Sequence, residues 1–337
     1  MKIALISNET KNIFPHYGNG GTQSCVENLA DGLHKKNHNF FVVCPKREIK
    51  KDYPFKIIEV DFHPKEANIK NDKNYSDLVN KIIEQESPDL ALTQQEEILN
   101  EENLNKTKLI TTRHDSGDKH RELLNKKNLK YRFISENQFK TWVKTEEDIN
   151  NSFWCYTGFS DNEYEFNQFP EDYYLWVGSF SWGWEAKGLN LFIDLAKYFK
   201  EKDFVIYGCG RPDIEKTVID FTKELKNLNY GGMLKRGEDH RRVFKNAKTL
   251  IQLSNMNEAY GRTSVEALTK GTPVITNFNG ANPEIVGNDG GIRVKTSEEL
   301  FKSIDDIKRI DRKAVFDYSK KFHADVEVEN LLNPNIW

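Results

Sequence analysis

The sequence predicts an α/β protein of two domains, each built on a parallel, doubly wound sheet. Three observations carry that expectation. The chain has 337 residues, more than one hydrophobic core usually serves, since cores stop growing near ~250–300 residues. Short apolar runs of strand length alternate with stretches of helical period. No tight-hairpin signal joins neighbouring runs, so the strands need crossovers and pair in parallel.

The elements follow in order. Ile3–Ser7 is a short apolar strand, Tyr17-Gly18-Asn19-Gly20-Gly21 a glycine-rich loop, and Thr22–Lys36 a helix with Val26, Leu29, Ala30 and Leu33 on one face. Phe40–Cys44 and Ile57–Val60 are further strands, Leu78–Glu86 a helix, and Leu90–Leu92 and Lys108–Thr112 strands, the last ending at Arg113-His114-Asp115. The pattern then restarts. Tyr174–Val177 reads as a strand, Leu189–Lys200 as an amphipathic helix, and Phe204–Tyr207 as a strand leading into Gly208-Cys209-Gly210. Thr249–Leu253 leads into the loop Ser254–Tyr260, and Pro273–Thr276 into Asn277–Gly280. Open α/β sheets bind ligands outside the carboxyl ends of their strands, which is where every one of these loops falls. The polar segment Phe166–Tyr173, with Pro170, is the expected linker. The domains are therefore placed at 1–169, joined by a C-terminal helix at about 322–337, and at 170–321.

Hydrophobic residues make up 37% and charged residues 30%, a globular balance that argues against disorder. A formal net charge of -3 supports no obligatory nucleic-acid partner, while peripheral membrane contact stays open. The four cysteines, Cys25, Cys44, Cys155 and Cys209, form no C-x-x-C pair and read as reduced core thiols. The apolar run Ile3–Ile6 is far shorter than a signal peptide's ~7–15 residues, so a cytoplasmic location is expected.

The segment richest in chemistry is Glu258-Ala259-Tyr260-Gly261-Arg262-Thr263-Ser264-Val265-Glu266-Ala267-Leu268, followed by Gly271-Thr272-Pro273-Val274-Ile275. Two carboxylates flank a helix start that Gly261 allows to turn, and free N–H groups there would welcome a diphosphate. The same residues also spell a capping box, Thr263-x-x-Glu266, and an i,i+4 pair, Glu266 with Lys270. Both readings stand at this point. Gly20-Gly21-Thr22-Gln23 is either a ligand-approaching glycine loop or an ordinary strand–helix turn. His114 with Asp115 is either a site or a structural pair, and Lys187, in Ala186-Lys187-Gly188, is either a functional cation or a solvated lysine. Lys119-His120-Arg121, Lys126-Lys127, Lys130 and Arg132 read first as a solvated charged face.

In this order the motifs resemble the GT-B-fold glycosyltransferases, specifically retaining family 4, of the glycosyl transferases group 1 type. The resemblance implies two Rossmann-like domains facing across a cleft, the first on the acceptor side and the second holding a nucleotide-sugar donor. It implies a hexosyltransferase in which Glu258 contacts the donor sugar, Glu266 the ribose hydroxyls, Lys187 the diphosphate, and His114 the sugar or the acceptor. Asp115, whose role is to orient the His114 ring or bind acceptor hydroxyls, joins Arg113 and Gln94 on the acceptor side. Donor contacts are implied for Gly20, Gly21 and Thr22, for Ser179 in Val177-Gly178-Ser179, for Gly208, Gly210 and Arg211, and for Tyr260, Gly261, Arg262, Thr263 and Ser264. Ser179 departs from the pattern, which has an arginine there; Arg262 or Arg211 is the replacement to consider. No cofactor and no metal are expected, only a UDP- or GDP-sugar co-substrate and a hydroxyl acceptor, because Lys187 and helix N-termini can carry phosphate charge. The competing expectation is a catalytically silent protein that binds nucleotide sugars. A dehydrogenase is disfavoured, since no G-x-G-x-x-G opens a helix with an acidic residue ~20 positions later.

Overall fold

The computed structural model describes residues 1–7, 21–47, 51–62, 73–94, 98–116 and 126–337. The chain divides into two compact units, Met1–Ser160 with Phe322–Trp337, and Asp161–Lys321.

The first unit runs β1 (Lys2–Ile6), α1 (Gly21–Lys35), β2 (Asn39–Pro45), β3 (Lys56–Val60), α2 (Lys73–Glu86), β4 (Leu90–Thr93), α3 (Glu101–Lys106), β5 (Lys108–Arg113), β6 (Leu129–Phe133), α4 (Glu136–Trp142), α5 (Glu146–Asn150) and β7 (Ser152–Trp154). The strands lie in the order β3-β2-β1-β4-β5-β6-β7, with β1 parallel to both β2 and β4. Strand β1 is an apolar run because helices cover both faces of a parallel sheet: Ala4 and Ile6 face one buried cluster, Ile3 and Leu5 the other. The expected strands are present. Strands β6 and β7 went unread because Leu-Lys-Tyr-Arg-Phe and Ser-Phe-Trp carry charged or polar residues among their apolar ones.

The second unit runs β8 (Tyr173–Ser179), α6 (Leu189–Tyr198), β9 (Asp203–Cys209), α7 (Pro212–Glu224), β10 (Leu228–Tyr230), α8 (Glu238–Asn246), β11 (Thr249–Gln252), α9 (Arg262–Leu268), β12 (Val274–Thr276), α10 (Asn282–Val286), β13 (Gly291–Arg293), α11 (Ser297–Asp306) and α12 (Arg312–Ser319). Its sheet order is β10-β9-β8-β11-β12-β13. Its strands pair in parallel throughout. Trp176 on β8 stacks on Phe180 at 5.8 Å within the core. The order reverses at β8, which has β9 on one side and β11 on the other. The carboxyl ends of β8 and β11 at such a reversal are where open α/β sheets bind ligands.

The boundary between units falls at Asp161, earlier than the expected 170. Residues 161–169 are tied to the second unit: the Lys270 ammonium donates to the Glu163 carbonyl at 2.6 Å, and Arg312 Nε to the Asn167 carbonyl at 2.8 Å. Tyr164 and Phe166 also pack on Phe316, so polar and aromatic contacts together set this boundary.

The last helix of the chain, α13 (Ala324–Leu331), returns to the first unit and packs on α1. Arg132, expected on a solvated face, is instead 1% exposed and bonded to Glu327 of α13 at 2.6 Å. Arg132 Nη2 also donates to the Tyr156 carbonyl, and Glu327 accepts from the Gly158 N–H. The remaining basic residues of that stretch diverge: Lys126 pairs with Glu101, Lys130 bonds the Asn150 carbonyl, and 119–121 lie outside the described residues. All four cysteines are free thiols, and burial pushes Cys155 up to about 11. Among the described residues no helix is long and apolar enough to cross a membrane.

Candidate functional site

The β8/β11 reversal holds a linked group of polar side chains. Gly188, at φ 72°, closes the loop after β8 directly onto the end of β11, where a Cβ would meet the Leu253 carbonyl oxygen at 2.3 Å. Only glycine fits, since L side chains avoid that backbone region and the space is filled. The contact brings Lys187 beside the loop that follows β11, where its ammonium pairs with Glu258 Oε1. The two side chains are 17% and 15% exposed, half-hidden rather than sealed.

Ser254 completes the group. Its hydroxyl donates to Glu258 Oε1 at 2.8 Å, and Ala186 accepts from the Asn255 N–H at 2.9 Å, lacing the two loops together. The amides of Asn277 and Asn279, after β12, both donate to the Ser254 carbonyl, at 2.7 and 2.8 Å. Gly280, at φ 58°, lies so close that a Cβ would meet the Glu258 N at 2.2 Å, and Glu258 O accepts from the Ala281 N–H. Three loop ends thus fix one carboxylate. Ser254, Asn277 and Asn279 carried no expectation; their only signal was a place just past an apolar strand.

Glu266 sits on α9, buried, with His240 Nε2 of α8 at 3.5 Å from Oε2 and Arg262 Nη2 at 3.9 Å from Oε1. Burial alone would raise its pKa; His240, Arg236 and Arg262 outweigh that and bring it to about 2. The capping box is not formed. Gly261, left-handed at φ 87°, is the N-cap, and no side chain caps the helix. Lys270 bonds Glu163 Oε2 at 3.2 Å instead of pairing directly with Glu266. Arg236 holds the other Glu163 oxygen at 2.5 Å. Burial lowers the Lys270 pKa, and it would raise that of Glu163, whose carboxyl Lys270 and Arg236 nevertheless hold well below the usual range.

Around Gly261 lie Tyr260, which is buried, and two buried oxygens without a hydrogen-bond partner, Ser264 Oγ and Asn282 Oδ1. A Cβ on Gly261 would stand 3.1 Å from Asn282 Oδ1 and 3.9 Å from Ser264 Oγ. Unsatisfied buried oxygens are costly, so they mark a place where a polar ligand or water belongs. Thr263 is partly exposed beside them.

The other expected donor residues are more dispersed. Ser179 accepts from the Ser181 N–H at 3.2 Å and caps a short 3-10 turn. Gly208 packs on the Gly178 carbonyl and Phe180, and Gly210 on Ser181. Arg211 is turned to solvent and held by Asp213 at 2.6 Å. In the first unit, Gly21 and Thr22 open α1, and Gly20 lies outside the described residues. His114 Nε2 meets Gln94 Oε1, so Gln94, after β4, orients the ring rather than Asp115. Asp115 pairs with Arg113 at 3.3 Å, and the Arg113 guanidinium lies 4.3 Å from the Trp142 ring centre. The Gln138 amide donates to the carbonyls of Arg113 and Asp115, which holds this strand end in place. Among the described residues no group of three or more His, Cys, Asp or Glu could hold a metal ion.

Residues 165–321, nearly all of the second unit, match the family model described as Glycosyl transferases group 1. No curated protein sequence matches the chain. Among solved structures it is similar to AviGT4, a glycosyltransferase involved in avilamycin A biosynthesis, at 16% identity and TM-score 0.72, covering 98% of this chain and 96% of that one. It is similar to Anabaena Alr3699/HepE in complex with UDP-glucose, at 16% identity and TM-score 0.69, covering 98% and 99%. It is also similar to WaaG, a glycosyltransferase involved in lipopolysaccharide biosynthesis, at 13% identity and TM-score 0.67, covering 98% and 100%. The fold is that of GT-B proteins, with two Rossmann-like domains.

Proposed function

We propose, from the premise that residues 165–321 form a glycosyl transferases group 1 domain, that the protein moves a sugar from a nucleotide-sugar donor to a hydroxyl of a glycan, lipid or other biomolecule. One observation carries the reading: the Lys187–Glu258–Ser254 group stands at the β8/β11 reversal, with Glu266 on the helix that follows. A cation, a carboxylate fixed from three loops, and a second carboxylate kept ionised by its neighbours are the groups a nucleoside diphosphate sugar requires.

In this reading Lys187 takes the diphosphate. It is now neutralised by Glu258, and a donor would exchange that partner for phosphate oxygens, freeing Glu258 to accept from sugar hydroxyls. As the bond to the leaving phosphate breaks, negative charge builds on the diphosphate, and a preplaced ammonium stabilises it more than it stabilises the bound donor. Glu266 accepts from the ribose diol. Gly261, Thr263 and Ser264 line the phosphate side, and His114, steadied by Gln94, serves the sugar or the acceptor. Transfer proceeds with retention by same-face attack, the departing phosphate taking the acceptor proton. Phosphate charge is carried by side chains and backbone N–H groups without a metal. UDP-glucose bound to the HepE relative supports a UDP-sugar as the first donor to test, with GDP-sugars next.

A thermal-shift panel of UDP-, GDP-, ADP- and dTDP-sugars tests this directly, because a ligand at 100 times its Kd adds ~2.7 kcal/mol of apparent stability. One nucleotide should stand out, and its sugar should be consumed when acceptors are added. Binding with neither transfer nor donor hydrolysis across a broad acceptor panel would identify a silent sugar-nucleotide binder instead. No shift with any nucleotide would end the reading.

A further inference from the structure

Glu266 has a neighbour that no motif announces. His240 is buried on α8, its ring tilted against Phe244 at 4.8 Å, and Nε2 points to Glu266 Oε2 at 3.5 Å. Arg262 approaches the other oxygen at 3.9 Å. Both approaches lie at or beyond the outer limit of a hydrogen bond, so they direct the carboxylate without saturating it. An ionised carboxylate has about four lone-pair sites. One turned to each of these two neighbours leaves one on each oxygen, and two parallel acceptors on a planar group match the two hydroxyls of a vicinal diol.

The groups behind this pair are already engaged. Arg236 is bonded to Glu163, and Glu163 to Lys270. Besides Arg262 of its own helix, the side chain that reaches the Glu266 carboxylate is His240 of α8, one of the helices packed on α9.

We propose that His240 is a positioning residue, which fixes the Glu266 carboxylate so that it presents one acceptor per oxygen to the 2′,3′-diol of a ribonucleoside diphosphate. This rests on the assignment of Glu266 to the ribose. It adds that ribose recognition is shared between two helices, and that a side chain which never touches the nucleotide governs its affinity.

Binding of UDP and of 2′,3′-dideoxy-UDP to the full chain separates the two ideas, with GDP and its dideoxy form if the donor panel selects guanine. Wild type should prefer the ribo form, and Glu266→Ala should abolish the preference. His240→Leu should weaken UDP about tenfold while dideoxy-UDP moves less than about twofold, as expected for one lost charge-assisted contact. In turnover the donor KM should rise with little change in kcat. His240→Gln, which keeps an N–H near the Nε2 position, should restore most of the preference. Should His240→Leu not fold, His240→Gln and His240→Asn make the same comparison, glutamine retaining the preference and the shorter asparagine losing it. Equal weakening of both nucleotides, or an unchanged ribo preference with only a lower Tm, makes His240 a core residue and overturns the proposal. A wild type indifferent to the 2′ and 3′ hydroxyls, or a Glu266→Ala variant that keeps the preference, removes the ribose assignment itself.

Discussion

Two ion pairs divide the labour in this molecule. Arg132 and Glu327 are both 1% exposed, and each has a further backbone partner, the Tyr156 carbonyl for the arginine and the Gly158 N–H for the glutamate. Lys187 and Glu258 are 17% and 15% exposed, and the partners around Glu258 come from a hydroxyl and loop backbone. The first pair is buried on both sides and joins α13 to β6 of its unit. The second is open on one side, at the carboxyl end of a parallel sheet. A fully buried pair can only be broken, at a cost of several kcal/mol, because either partner alone is a charge without compensation. A half-open pair can be exchanged, since a phosphate can replace the carboxylate on the lysine and hydroxyls can replace the lysine on the carboxylate.

Four experiments would break or sharpen that contrast. Glu258→Ala should lower kcat/KM about 10³-fold or more, the scale of losing a preplaced group at the reacting centre, with Tm near wild type; retained transfer would remove Glu258 from the site. Glu327→Ala should do the converse, costing about 3–5 kcal/mol of stability, read as a lower denaturation midpoint, while the fraction that stays folded keeps its transfer rate. Lys187→Ala should reduce kcat about 10²-fold, and a rate within twofold of wild type would make it an ordinary surface lysine. Arg211→Ala, whose exposed bridge to Asp213 is screened by solvent, should change neither rate nor stability measurably; a large loss of donor affinity would instead make Arg211 the second phosphate cation.

Acidity provides a fifth test of the same contrast. The folded pKa of Glu266, about 2, lies below its ordinary 4.5, so its contribution to stability is complete above about pH 4.5 and is lost as pH falls toward 2. Glu266→Gln should flatten the dependence of unfolding free energy on pH in that window. An unchanged slope would show that His240, Arg236 and Arg262 do not hold the carboxylate ionised.

The apolar runs were enough to read β1, β2, β3, β4, β5, β8, β9, β11 and β12, since a strand in a sheet covered on both faces is apolar over most of its length. Strands β6 and β7 were not legible, because an edge region tolerates residues such as Lys130 and Arg132 whose partners lie far along the chain. The Glu258–Glu266 spacing and Gly188 stood out locally. Ser254, His240 and Glu163 did not, because each acquires its meaning from a side chain on another element. The capping box and the Glu266–Lys270 pair were readable as local chemistry and yet do not form: Gly261 takes the N-cap, and a buried lysine gains more from the Glu163 carbonyl and carboxylate than from a helix neighbour.

By itself the sequence determined the parallel α/β class, the presence of two domains, and the segment that carries the carboxylates, because periodicity, glycine and chain order act within a few residues of one another. The tertiary structure alone decided which charge meets which, that Arg132 is buried and Arg211 is not, and that α8 supplies the partner of Glu266. Charges have no period in the chain; their pairing depends on distances through space that only the folded sheet and its loops establish.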